Sequence, residues 1–216
     1  MNNDVKDGRS LAEQIASTLA ERIITGRIAP GERLLQEHLA VEFGASHVPV
    51  REAFRRLEAQ GLAVVEPRKG VRAAPLDPLA VMEVAKMRAA LEPLALREGA
   101  ARLTSADLRR LDALIDAESS AQGIEALEKL NAQLHGALLE HCRMPYLLSS
   151  IADLHRISAR HLFATWQKLD WQARSSDEHR RIVAALRAGD VEAACAALAA
   201  HIVDAGTALA DVLRSR

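Results

Sequence analysis

The stretch Ser46-His47-Val48-Pro49-Val50-Arg51-Glu52-Ala53-Phe54-Arg55-Arg56-Leu57-Glu58-Ala59-Gln60-Gly61-Leu62 has the pattern of a short helix with two distinct faces. Val50, Phe54 and Leu57, with Ala53 beside them, recur at helical spacing and form an inward stripe. His47, Val48, Arg51 and Arg55 fall on the outward side near the start. Ser46 stands where a hydroxyl accepts from an unpaired first-turn amide, and Pro49 sits where a missing N–H costs little. Arginine on such a face can grip a guanine edge bidentately or hold a phosphate. A solvated basic face on an ordinary surface helix has the same pattern, so the flanks must separate the two readings.

Upstream, Leu35-Gln36-Glu37-His38-Leu39-Ala40-Val41-Glu42-Phe43 is a short amphipathic segment that stops at Gly44, a natural helix end before a tight turn. Helix, glycine turn and capped second helix is helix-turn-helix spacing. Earlier still, Ser10-Leu11-Ala12-Glu13 forms a capping box, and Leu11, Ile15, Leu19 and Ile23 mark a helix reaching toward Gly26. Downstream, Leu62 to Glu66 and Val71 to Ala74 are short apolar runs. Between them Pro67-Arg68-Lys69-Gly70 is a turn with two positive charges. A basic hairpin tip beside such a helix is a wing, placed to touch the DNA backbone or minor groove.

On these residues, segment 8–75 resembles the winged helix-turn-helix of the GntR family of bacterial transcription regulators. The resemblance is carried by Gly26-Arg27-Ile28-Ala29-Pro30-Gly31-Glu32-Arg33-Leu34, Leu39-Ala40, Pro49-Val50-Arg51-Glu52-Ala53 and Leu57-Glu58-Ala59-Gln60-Gly61-Leu62. It implies base contacts from Ser46, His47, Val48 and Arg51; Arg55 on the same face and Arg68, Lys69 and Gly70 in the wing are the further DNA-contact candidates read from the residues above. The family usually has arginine after the cap residue, where this chain has His47, which carries little charge at pH 7.

The net charge of the 216-residue chain is only −1. Its distribution matters more, because local patches set contact with phosphate. From Ser46 to Arg72 six Lys or Arg stand against three Asp or Glu, whereas from Leu76 onward 17 basic residues face 19 acidic ones. A patch this modest predicts two copies acting together, a homodimer on a pseudo-palindromic double-stranded operator. No run reaches the roughly 18 apolar residues of a membrane span and no secretory signal opens the chain, which predicts a cytoplasmic protein without a membrane partner. Cys142 and Cys195 are too few for a disulfide framework and read as small core residues.

Ala74-Pro75-Leu76-Asp77-Pro78 is a linker, with Asp77 capping and Pro78 at a first helical position. Beyond it, residues 79–216 read as all helix. The segments run from about Leu79 to Ala101, with a kink expected at Pro93; from Ser105 to Ser120 behind a Thr104 cap; from Gly123 to Cys142; and from Tyr146 to Leu169. Another is opened by a Ser175/Glu178 capping box and ends at Gly189. The last begins at Asp190 and runs to Leu213. The fold class is therefore mainly α, a winged helix-turn-helix followed by an antiparallel helical bundle.

Polar residues inside these helices carry a second function. Asn131 and His135, four apart, share one face. His179 and His201 lie eleven residues either side of Asp190, hence roughly 16 Å from the hairpin turn and level with each other. Such a set is either a metal site or a group of singly hydrogen-bonded histidines. Arg88 is either a pocket cation suited to a carboxylate or the i,i+4 partner of Glu92. His155, Arg160, His161, Phe163 and Trp166 are further candidates to line a cavity. Trp166 and Trp171 read as core.

Through Arg88-x-x-x-Glu92, Asn131-x-x-x-His135, Glu178-His179-Arg180, the Ala-Gly-Asp turn at 188–190 and His201-Ile202, this segment resembles the all-helical ligand-sensing FCD domain of the FadR-type branch. The resemblance implies a divalent metal, zinc or nickel, on Asn131, His135, His179 and His201. It also implies a small carboxylate metabolite as effector, with Arg88 facing it. Many metal-binding members have Asp where this chain has Asn131. The implied mechanism is release of DNA when effector binding, acting through the 74–78 linker, alters the placement of the two wings in the dimer. The alternatives are a DNA-binding dimer with a vestigial, non-sensing helical domain, and a helical-bundle metalloenzyme. The Glu-x-x-His repeat of di-iron bundles and His-Glu-x-x-His are both absent from the sequence, which sets catalysis aside.

Overall fold

The computed structural model describes the backbone of residues 9–165 and 172–215, with side chains from 174 in the second segment. The chain divides into two compact units that meet between Leu76 and Asp77. Trp166 and Trp171 lie outside the described residues.

In the first unit, α1 (Leu11–Ile24) opens with the expected capping box: the Ser10 hydroxyl accepts from the Glu13 amide, and Glu13 accepts from the Ser10 amide. Its buried stripe includes Ile15, Leu19 and Ile23, while Leu11 is 43% exposed. A two-residue strand β1 (Arg33–Leu34) leads to α2 (Gln36–Glu42). Gly44 follows in the left-handed region at φ +57°, with open space where a Cβ would stand, and this makes the tight turn before α3 (His47–Ala59). Strands β2 (Ala63–Glu66) and β3 (Gly70–Ala73) form the wing hairpin, and β3 lies in the middle of the sheet, antiparallel to both neighbours, with Val64 and Arg33 opposite Arg72. Arg68, at φ +66°, turns the hairpin.

Val50, Ala53, Phe54 and Leu57 of α3 are buried with Ile15, Leu19, Leu39 and Leu62 in one core, which fixes the helix by its inner face. Ser46 holds the cap position, but its hydroxyl makes no cap bond. The reason is local. A cap side chain bonds the second or third amide of the helix; the third residue of α3, Pro49, has no N–H, and the hydroxyl does not bond the remaining one on Val48.

Among the described residues, the second unit is a bundle of six helices. Its core collects Ala95, Leu96, Leu111, Ile115, Leu134, Leu138, Ile182 and Leu198. α4 (Pro78–Ala100) is capped by Asp77, whose carboxylate accepts from the Leu79 amide, and it runs through Pro93. α5 (Ser105–Ser120) has a capping box between Thr104 and Asp107, and α6 (Ile124–Leu139) follows Gly123. α7 (Pro145–Thr165) and α8 (Gln172–Arg187) precede α9 (Val191–Arg214), which Asp190 caps. α9 lies along α4. They approach so closely that a Cβ on Gly206 would sit 2.3 Å from the Ala85 Cβ.

Two expectations change here. α8 begins at Gln172, so Ser175 lies inside it rather than capping it. Ser175 is buried with its hydroxyl on the Glu118 carboxylate, and Glu178 reaches His201 and Arg174 instead of a helix end. α9 is also long and apolar enough, by length and composition, to cross a membrane. Its Ala194, Leu198, Ile202, Leu209 and Ala210 are instead buried in the bundle, and an alanine-rich core helix has the same composition as a span.

Candidate functional site

The outward face of α3 carries Ser46, His47, Val48, Arg51 and Arg55, all exposed. At the wing tip Arg68, Lys69 and Gly70 are exposed too, with Gly70 at φ +92°. Not every basic residue here is available to a partner. Arg56 pairs with Glu13 and Glu52, and Arg72 pairs with Glu66 and donates to the Gly31 carbonyl. Arg51, Arg55, Arg68 and Lys69 form no ion pair with the described residues, so these four face solvent.

The bundle brings His135 from α6, His179 from α8 and His201 from α9 together. One ring nitrogen from each lies within 4.8 Å of the other two, and the Nε2 atoms of His179 and His201 are 3.1 Å apart. The expectation that these two stand level across their hairpin is met. Behind each ring stands a carboxylate. Nδ1 of His135 is 2.6 Å from Glu92 Oε2, Nδ1 of His179 is 2.9 Å from Glu118 Oε2, and Nδ1 of His201 is 2.8 Å from Glu178 Oε2. An ionised carboxylate only accepts, so each Nδ1–H donates to its glutamate and each Nε2 is on the far side of its ring.

The electrostatics agree. Burial pushes His135 below its ordinary value despite Glu92, and it pushes His201 down to about 4. Burial opposes ionisation of Glu92, yet His135 and the Arg88 guanidinium hold its carboxyl well below the usual carboxylate range. Glu118 and Glu178 are lowered as well, burial being outweighed by His179 for the first and by His201 with Arg174 for the second. Burial thus favours the neutral ring at His135 and His201, and the three carboxylates are held in the charged form; neutral imidazole is what metal ligation needs.

Arg88 meets both sequence readings. Its Nε–H donates to Glu92 Oε1 at 2.7 Å, but the pair is buried rather than on a helix surface. One terminal nitrogen donates to the Ser158 hydroxyl at 3.0 Å, and the other donates to His155 Nε2 at 2.6 Å. A guanidinium cannot accept, so His155 Nε2 is the acceptor. Burial and then Arg88 hold His155 well below its ordinary value. Two of the five guanidinium N–H donors remain beyond these bonds, and Arg88 lines a pocket together with Asn131, His135, His155 and His201. The pocket encloses about 620 Å³ of space between atoms, mouth included, and its other wall is apolar, formed by Leu127, Leu162, Ile202 and Leu209.

Asn131 lines this pocket but its side chain is engaged with Glu128. Burial raises Glu128 to about 7, so that its carboxyl is close to half neutral near pH 7. His161 lines a smaller adjoining cavity that shares Arg88 and Ser158. Burial takes it down to about 4, and its Nδ1 bonds the Ile157 carbonyl. Arg160 is buried outside the lining, and Phe163 is half-buried outside it. Glu118, Glu128 and Ser158 were not singled out from sequence. The signal for Glu118 exists: it continues the buried stripe Leu111, Ile115, Glu118 of α5, a charge in an apolar register. Glu128 falls three residues before Asn131 and seven before His135, on the same face.

Comparison with known proteins agrees with both halves. Residues 11–73 match the bacterial regulatory proteins of the gntR family, and residues 83–204 match the FCD domain. The Nta operon transcriptional regulator of Aminobacter aminovorans is 32% identical over 178 residues, covering 80% of this chain and 82% of its own. The galactonate operon transcriptional repressor of Escherichia coli (strain K12) is 26% identical, covering 84% and 89%. The solved structure of E. coli McbR/YncC superposes with a TM-score of 0.78 at 25% identity, covering 96% of this chain and 99% of that one. These relatives are transcription regulators, which removes the metalloenzyme alternative. The chain belongs to the gntR family of bacterial regulatory proteins and is a DNA-binding transcription regulator with a winged helix-turn-helix and an FCD domain.

Proposed function

We propose that the protein is a repressor that binds a pseudo-palindromic operator as a homodimer and is released by a small carboxylate. In this reading Arg51, with Ser46, His47, Val48 and Arg55, reads the major groove, and Arg68, Lys69 and Gly70 hold the backbone beside it. His135, His179 and His201, with Asn131 from the pocket wall, hold a divalent ion, zinc or nickel. When bound, the ion supplies a Lewis acid on which a carboxylate can sit. The two spare N–H donors of Arg88 grip the same carboxylate, and the apolar wall takes its carbon skeleton. One relative is named for a galactonate operon, and galactonate is a carboxylate.

The single observation that carries the metal reading is the 3.1 Å separation of the Nε2 atoms of His179 and His201. Both nitrogens are acceptors once their Nδ1 protons are donated to glutamates. Two lone pairs that close repel unless a cation or a proton lies between them. Zinc–nitrogen distances of about 2.0–2.1 Å in a tetrahedron set neighbouring donors about 3.3 Å apart, close to what the rings already show. Any effector must bind the DNA-free arrangement more tightly than the DNA-bound one.

The test is to enrich an operator from a random duplex library and measure metal content by elemental mass spectrometry. The zinc-loaded dimer on its operator is then titrated with mono-, di- and hydroxycarboxylates. About one ion per chain, and a fall in operator affinity with one carboxylate class, is the expected result. Unchanged affinity across the panel would rule out release by a carboxylate, and a monomer by light scattering on the operator would rule out the dimer.

A further inference from the structure

We propose that Glu92, Glu118 and Glu178 are positioning residues for the ion: each fixes one histidine from behind and supplies the negative charge that Asn131 does not. This inference rests on the metal reading above.

The arrangement is a repeated one. Every histidine of the cluster is held by a glutamate from a different helix: His135 of α6 by Glu92 of α4, His179 of α8 by Glu118 of α5, and His201 of α9 by Glu178 of α8. All three bonds use Nδ1 and lie between 2.6 and 2.9 Å. A buried ring needs only one acceptor for its N–H, and a backbone carbonyl serves, as Ile157 does for His161. Three carboxylates in the same role are therefore more than hydrogen-bond satisfaction requires. A carboxylate behind an imidazole fixes the tautomer, holds the ring plane and makes the far nitrogen more basic.

The glutamates are themselves held. Glu92, fully buried, keeps its second oxygen on Arg88. Glu118, 1% exposed, lies 3.4 Å from the hydroxyls of both Ser175 and Ser176. Glu178 keeps its second oxygen on Arg174. A ligand set of three neutral imidazoles and one amide carries no charge of its own. The glutamates place that charge one bond further out, on the far side of each ring. Glu92 has a second consequence, since it ties the His135 ring to the guanidinium that faces the effector.

The experiment uses the full-length protein stripped of metal, with zinc titrated against a chromophoric chelator and cobalt read by its visible absorption bands. Glu118→Gln keeps an oxygen to accept the His179 N–H, removes the charge, and makes the other end a donor that a serine hydroxyl can accept. Zinc affinity is expected to fall roughly 10- to 100-fold, with displaced cobalt bands and unchanged far-ultraviolet circular dichroism. Glu118→Asp, which restores the charge, should recover part of the loss. Glu178→Gln should act in the same direction and more weakly, because Glu178 is the more exposed of the two. If Glu118→Gln does not fold, Glu178→Gln carries the test. Wild-type protein that binds neither zinc nor cobalt overturns the metal reading and this inference with it. Wild-type protein that binds both, with variants of equal affinity and identical bands, overturns the positioning role alone.

Discussion

The outer face of α3 and the buried histidine cluster of the helical unit, the two sites proposed to carry function, are built in opposite ways. On α3, Ser46, His47, Val48, Arg51 and Arg55 are exposed, and the helix is held by Val50, Ala53, Phe54 and Leu57 on its other side. In the helical unit, Arg88, Glu92, His135, His179 and His201 are all buried, and the bonds among them and their glutamates also join α4, α5, α6, α8 and α9. A solvated face can be rewritten without touching the core beneath it. A buried polar network cannot, because removing one partner leaves another desolvated. On the proposed reading, the α3 face can change specificity at little cost in stability, whereas the buried site of the bundle ties specificity to folding.

The largest expected effect tests that tie. His179→Ala takes the donor from Glu118 and opens a space in the bundle. The metal-free protein should lose about 3 kcal/mol of unfolding free energy in a urea titration. A loss within about 0.5 kcal/mol would show that the pocket does not hold the bundle, and the contrast with α3 would collapse. Next is Gly206→Ala, which places a Cβ against Ala85 where α4 and α9 approach closely. Forced separation of these helices should cost roughly 1–3 kcal/mol, read as a lower melting temperature. An unchanged melting temperature means the two helices have room to give.

On the other side of the comparison, Arg51→Ala should lower affinity for the enriched operator by roughly 10- to 100-fold, equivalent to about 1–3 kcal/mol for a bidentate base contact. Its urea midpoint should stay at the wild-type value, since Arg51 is exposed. Weaker DNA binding accompanied by a shifted midpoint would mean that the reading face also carries fold. The smallest effect separates two serines in the same kind of position. Ser10→Ala removes a made cap and should cost about 1 kcal/mol, whereas Ser46→Ala removes none and should stay within about 0.5 kcal/mol. Equal losses would show that Ser46 finds a cap partner despite Pro49.

Residues with local causes were legible in advance. The caps at Ser10, Asp77, Thr104 and Asp190 and the glycine turn at Gly44 all depend on neighbours within a few positions, and all are found. So was the pairing of His179 with His201, because a hairpin of two helices converts equal distance from a turn into equal height. Where a second cause competed, local reading failed. Ser175 and Glu178 have capping-box spacing, but both side chains are claimed by partners from other helices, Glu118 from α5 and His201 from α9. Arg88 and Glu92 have the spacing of a weak surface pair. Burial makes the same two residues the hinge between the histidines and the pocket.

What the sequence determined by itself is the order of elements, the two-part organisation and the faces of the helices, since periodicity, capping and turn chemistry act over a few residues. What only the tertiary structure decided is which glutamate stands behind which histidine and that Arg88 also reaches Ser158 and His155. Those partnerships join different helices, between residues 23 to 70 positions apart. No spacing rule reaches that far: the register between packed helices is set by how their side chains interlock, at contacts such as Gly206 on Ala85.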